Sequence, residues 1–133
     1  MTKLDHIGIA VEDIEAAAQL YVAGLGLELE HVQTVEAQGV KVGFLPLGDT
    51  ELEFLEPLNE SSPIARSLAK RGAGLHHICI EVPDIREAMD NLRTEGARLL
   101  NEEPVAGAGG CLVCFVHPKS ANGVLLELSQ KPR

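Results

Sequence analysis

The chain has 133 residues, 45% of them hydrophobic and 23% charged, which fits one small globular domain or two closely joined modules. A formal net charge of -9, no Trp and a single Tyr argue against nucleic acid as a partner. Phosphate neutralisation needs a basic face, and base stacking needs aromatic rings. No window approaches the ~18 consecutive apolar residues of a membrane span.

The opening MTKLDHIGIA lacks the basic-then-apolar pattern of a secretory signal. The three cysteines, Cys79, Cys111 and Cys114, are odd in number and without small-scaffold spacing, which predicts a reducing, cytoplasmic setting.

In chain order, the first predicted strand is KLDHIGIAV, with apolar residues alternating from Ile7 to Val11. An Ala-rich helical stretch follows, EDIEAAAQLYVAGLG, with Ile14, Ala17, Leu20 and Tyr21 assigned to one face and Gly24 and Gly26 as stops. LELEHVQTV, GVKVGFLPL and ELEFLEPL then read as three strands. A connector, NESSPIARSLAKRGAG, predicts a short helix from Pro63 with Ser62 as its cap. GLHHICIEV restarts the pattern. It leads into a second helix with Ile85, Ala88, Met89 and Leu92 on one face and Gly96 as its stop. The strands ARLLNEE, GCLVCFVHP and GVLLELSQ follow.

This is an internal repeat. An offset of 71 carries His6 onto His77, and Ile7, Ile9, Val11, Asp13 and Ile14 onto Ile78, Ile80, Val82, Asp84 and Ile85. Each half reads β-α-β-β-β: module one about 1–58, a connector about 59–73 and module two about 74–133, within a single domain 1–133.

The polar residues of the repeat carry the chemistry. His6 and His77 hold matching places on the first strands. Glu53 and Glu127 hold matching places on the last strands, at an offset of 74. Taken singly, a strand His is most often packed in a core and a strand Glu solvated. At symmetric places in a duplicated module, two imidazoles and two carboxylates suit a divalent first-row metal with positions left open for catalysis. His76 sits opposite Asp5 in the repeat register and points away from His77. Cys111 and Cys114 have CxxC spacing, but an offset of three in a strand turns them to opposite faces. No second CxxC completes a zinc site, so core packing is their expected role.

With LDHIGIAVEDIEAA, GLGLE, QGVKVGFLPLGDTELEFLEPL, SPIARSLAKRGAGLHHICIEV and HPKSANGVLLELSQ in place, the sequence resembles the vicinal oxygen chelate (glyoxalase-like) superfamily and, within it, the methylmalonyl-CoA epimerase family. The likeness covers almost the whole chain, and GLHHICIEV and HPKS with GVLLEL are its most specific parts. It implies an α+β fold: two tandem βαβββ modules forming a cupped, barrel-like mixed sheet with helices outside. It implies metal ligation by His6, Glu53, His77 and Glu127, with Co2+ as the expected ion and Mn2+, Zn2+ or Ni2+ as alternatives.

The resemblance further implies an acyl-CoA substrate, interconversion of (2R)- and (2S)-methylmalonyl-CoA through an enolate, and a homodimer without membrane or nucleic-acid partners. Glu127 is the first candidate base. His117 and Lys119, from the HPK segment, would line the substrate cleft. One departure stands out: where some family members carry an acid/base Glu, this chain has Val42, and the neighbouring Lys41 points to the other face. Two rival functions share the fold, a glyoxalase-type lyase acting on a thiol adduct and a non-catalytic small-molecule binding protein. Apolar strands such as VKVGFLPL are candidates for pairing between chains.

Overall fold

The computed structural model describes residues 2–133. The chain forms two compact units. One is His6–His76; the other is His77–Arg133 with the described residues before His6.

The first unit is built from β1 (Lys3–Ala10), α1 (Ile14–Gln19), β2 (His31–Val35), β3 (Val40–Leu47), β4 (Thr50–Pro57) and α2 (Pro63–Arg71). Its strand order is β2-β3-β4-β1. β3 is antiparallel to β2 and β4, whereas β4 runs parallel to β1. A parallel pair needs a long crossover, and the intervening helix and strands supply it.

The two sheet faces are covered by different helices. Ile7 and Ile9 of β1, Leu52 and Phe54 of β4 and Leu45 of β3 pack under Ile14 and Ala18 of α1. The opposite face presents His6, Gly8 and Ala10, then Glu53 and Leu55, then Val40, Val42 and Phe44, as the pairings Gly8–Glu53, Val42–Leu55 and Phe44–Glu53 require. Ile64 and Leu68 of α2 cover part of this second face, against Ala10, Val40, Val42 and Leu55. Ser62 caps α2 by accepting from the Ile64 N–H at 3.1 Å, with Pro63 in the first turn.

The second unit repeats the pattern with β5 (Gly74–Glu81), α3 (Ile85–Thr94), β6 (Val105–Ala106), β7 (Leu112–Val116) and β8 (Leu125–Gln130). Its order is β5-β8-β7-β6, with β5 and β8 parallel. α3 lays Ile85 and Met89 on Val82, Cys114 and Leu128. The two βαβββ modules give the α+β fold expected from the repeat.

Each module also pins the start of its helix from its last strand. Glu56 of β4 accepts from the Ile14 N–H at 2.9 Å, and Gln130 of β8 accepts from the Ile85 N–H at 2.8 Å. Asp13 and Asp84 cap the same helices by accepting from Glu15 N–H and Glu87 N–H. At the end of β8, Lys131 donates to Asp5 at 3.2 Å and lies 3.9 Å from Glu81.

Several expectations are corrected. Leu20 does not share the buried face of the first helix: it is 70% exposed. A π-helical turn over Leu20–Gly24 follows α1, and Ile14, Ala17, Ala18 and Tyr21 are the inward set. The first half of LELEHVQTV is not strand; Leu27 and Leu29 instead pack under α1, and β2 begins at His31. ARLLNEE forms only an isolated bridge between Leu99 and Val116, and the strand of this region is the two-residue β6. The run VKVGFLPL is not a free edge, because β3 bonds β2 on one side and β4 on the other. Its hydrophobicity comes from burial on both faces.

Candidate metal and substrate site

Strand alternation decides which face each ligand candidate occupies. In β1 the residues with the lowest exposure alternate as His6, Gly8 and Ala10; in β5, His77 and Cys79 do the same. His6 is 8% exposed and His77 is 7% exposed, a depth at which a neutral imidazole still needs a hydrogen-bond partner. Each finds one from the last strand of its own module. His6 Nδ1 lies 3.2 Å from Glu53 Oε2, and His77 Nε2 lies 3.3 Å from Glu127 Oε1.

The register explains the match. Glu53 is the Cα partner of Gly8, and Glu127 is the Cα partner of Cys79, in each case two residues along from the histidine and on its face. The two pairs are therefore the same structural device written twice. They differ in which ring nitrogen meets the carboxylate: Nδ1 in the first module and Nε2 in the second. The side chains of Glu53 and Glu127 are 15% and 14% exposed. Burying a carboxylate beside an imidazole is costly unless a proton or a cation is shared, and an imidazole with a carboxylate oxygen at hydrogen-bond range is the donor chemistry of a divalent-metal site. Each half thus supplies one imidazole and one carboxylate of the types such an ion takes.

His76 sits on the opposite face of β5 from His77 and is half-buried. Val42 is 5% exposed within the apolar cluster of Ala10, Val40, Leu55 and Ile64, so no proton-transfer group occupies that place. Lys41 faces the other way and lies 3.8 Å from Glu56. His117 caps the short 3-10 turn Pro118–Ser120; its Nδ1 accepts from the Lys119 N–H at 3.0 Å, which leaves Nε2 for other contacts. Lys119 is exposed. Cys79 and Cys114 are fully buried, while Cys111 is half-buried just before β7.

The helix-pinning pair Glu56 and Gln130 goes beyond the residues that the His and Glu pattern marks. The signal was present: the offset of 74 that takes Glu53 to Glu127 also takes Leu52 to Leu126 and Glu56 to Gln130.

The sequence profile of the Glyoxalase/Bleomycin resistance protein/Dioxygenase superfamily matches residues 5–115. The chain belongs to that superfamily. Among its relatives, the ethylmalonyl-CoA/methylmalonyl-CoA epimerase of Cereibacter sphaeroides is 50% identical over 130 residues, covering 96% of this chain and 97% of its own. The mitochondrial methylmalonyl-CoA epimerase of Homo sapiens is 46% identical over 129 residues, covering 96% of this chain and 73% of the human protein. Among superfamily members of known structure, a variant of the Streptomyces coelicolor methylmalonyl-CoA epimerase in complex with 2-nitronate-propionyl-CoA superposes with a TM-score of 0.87 at 37% identity, covering 100% of this chain and 99% of that one.

Proposed function

We propose that the chain is a methylmalonyl-CoA epimerase. The observation that carries this reading is the pair of buried His–Glu contacts at symmetric places, in a chain half identical to an ethylmalonyl-CoA/methylmalonyl-CoA epimerase over nearly its full length. His6, Glu53, His77 and Glu127 would be the ligands of a divalent ion, Co2+ by preference, within a single domain of 133 residues.

The substrate carbon C2 lies between a thioester and a carboxylate, so its proton is unusually acidic. A divalent ion in the site supplies Lewis-acid stabilisation of the negative charge that develops as this proton leaves. The residues do the rest. Glu127 takes the proton from one face of C2, and protonation from the opposite face inverts the centre. A carboxylate that also ligates a metal is a weak base, and Val42 contributes no second group. The reverse proton delivery therefore falls to Glu53 or to water held in the site. His117 presents Nε2 to the acyl group, and Lys119 offers a cation to the substrate's anionic parts. The protein works as a homodimer. Its three free thiols suit a reducing compartment such as the cytoplasm.

The test is proton NMR of (2R)-methylmalonyl-CoA in deuterated water with Co2+-loaded protein. The expected result is deuterium at C2 together with loss of stereochemical purity, both abolished in His77→Ala. No exchange above the buffer rate, with the metal shown to be bound, would overturn the reading and favour a glyoxalase-type lyase of the same fold.

A further inference from the structure

The two modules differ on the sheet face that carries their His–Glu pairs. In module one the rung beyond Glu53 is apolar: Ala10, Leu55 and Val42 stand side by side on neighbouring strands and seat α2. The repeat offsets of 71 and 74 carry these residues onto Glu81, Ser129 and Val113. The pairings Glu81–Ser129 and Val113–Ser129 set them side by side as well. Two apolar places of module one are thus a carboxylate and a hydroxyl in module two. α3 packs on the other face of this sheet, against Ile80, Val82 and Leu128. Strand alternation therefore puts Glu81 on the face of His77 and Cys79, and Ser129 on the face of Glu127.

Packing does not account for Glu81. A carboxylate turned toward the interior is costly unless it is paired. Its side chain is 21% exposed, and Lys131 Nζ lies 3.9 Å from Oε1, beyond hydrogen-bond range. Lys131 donates instead to Asp5 at 3.2 Å. Glu81 Oε1 is left buried with no hydrogen-bond partner among the described residues, and a native acceptor in that state calls for a role. Its place relative to Glu127 gives it one. Cys79 is the Cα partner of Glu127, and Glu81 lies two residues further along the same face. With strands about 4.8 Å apart and a rise of about 3.3 Å per residue, such diagonal neighbours stand about 8 Å apart at Cα. Two glutamate side chains at that spacing can approach one carbon atom from different sides.

We propose that Glu81 is the second proton-transfer group of the epimerisation, standing in for the one that Val42 does not supply. This deepens the epimerase reading and rests on it. From one epimer, the Glu127 carboxylate takes the C2 proton, and the C–H electron pair passes into the enolate. Glu81 in its acid form then gives its proton to the opposite face of C2. A new C–H bond forms, and the O–H electron pair stays on Glu81 as a carboxylate. From the other epimer the two residues exchange roles. One proton is taken and one is given in each turnover, and the two carboxyl groups are reset by exchange with water. Neither Glu53 nor unassisted water then has to deliver the second proton. Lys131, held by Asp5, stays near the Glu81 carboxylate without hydrogen-bonding to Oε1.

The experiment follows C2 by proton NMR in deuterated water, starting separately from (2R)- and (2S)-methylmalonyl-CoA. The proteins are the wild type, Glu81→Gln and Glu81→Asp, each shown to be folded by circular dichroism and loaded with Co2+. In Glu81→Gln, epimerisation is expected to fall by about 10²–10⁴-fold. One epimer, the one whose proton faces Glu127, should still exchange that proton for deuterium with its configuration retained; the other should not exchange. A residue that only supported the fold would slow both epimers alike. Glu81→Asp, which keeps a carboxyl group, is expected to recover part of the inversion. Wild-type inversion in Glu81→Gln, or equal slowing of exchange from both epimers, would overturn the inference and leave the epimerase reading standing. A loaded wild type that exchanges neither epimer would sink both.

Discussion

A methyl group added at Gly43 would sit 2.7 Å from Ile14 Cγ2 and 3.3 Å from Leu29 Cδ1. The glycine therefore sets how closely α1 lies on β3. Gly43→Ala is expected to cost about 1–3 kcal/mol, the usual penalty for overpacking a closed core, and to lower Tm by several degrees in a thermal melt. An unchanged Tm would mean that α1 can shift outward freely. The roles of single residues were unevenly legible. The matching places of His6, His77, Glu53 and Glu127 were legible because the repeat marks them twice, and the structure brings each histidine to the glutamate of its own half. Gly43 could not: its apolar surroundings come from Ile14 and Leu29, distant in sequence, and no local pattern shows a close approach. Leu20 departs from the face that a 3.6-residue period assigns it because Leu20–Gly24 winds as a π-helical turn.

At the scale of elements, the ends of strands control the starts of helices. Glu56 and Gln130 hold the first N–H of α1 and α3, one as a carboxylate and the other as an amide. The second module thus shows that charge is dispensable for this role. Glu56→Gln is expected to be nearly neutral in urea unfolding, losing only the weak contact with Lys41. Glu56→Ala is expected to cost about 1–2 kcal/mol by leaving a partly buried N–H unpaired. Equal costs for the two variants would show that the carboxylate charge, not the acceptor, matters. Helices and central strands were readable from periodicity and caps, as Ser62 and Pro63 show for α2. The stretches around Leu27 and Leu99 were not, since their apolar residues serve helix packing and a single bridge rather than a ladder.

For the molecule as a whole, two buried or paired groups predict an alkaline limit. Burial pushes the Cys114 thiol up to about 11; Arg93 opposes this and Glu127 adds to it. A thiol that ionises near its ordinary 9.0 when unfolded, but later when folded, stabilises the native state fully below that value. The contribution is then lost as pH climbs toward 11. Lys131 acts in the same direction. Burial pulls its pKa down, but the hydrogen bond and charge of Asp5, and then the charge of Glu81, outweigh it and leave the pKa raised. Its contribution is present below the ordinary lysine value and fades as pH rises past it. Unfolding free energy is therefore expected to hold level from pH 7 to about 9 and to fall by on the order of 2 kcal/mol by about pH 11. Cys114→Ala should be less stable at pH 7 but decline less steeply; a parallel decline would assign the limit elsewhere.

The His–Glu contacts also join the two ends of long stretches of chain. His6 and Glu53 stand on the first and last strands of one module, and His77 and Glu127 on those of the other, with some fifty residues of chain between each histidine and its glutamate. Each contact thus closes a loop of module length, and its partners meet only when the first and last strands of the module have paired in register. Formation of either contact during folding would therefore mark the moment at which a whole module has closed.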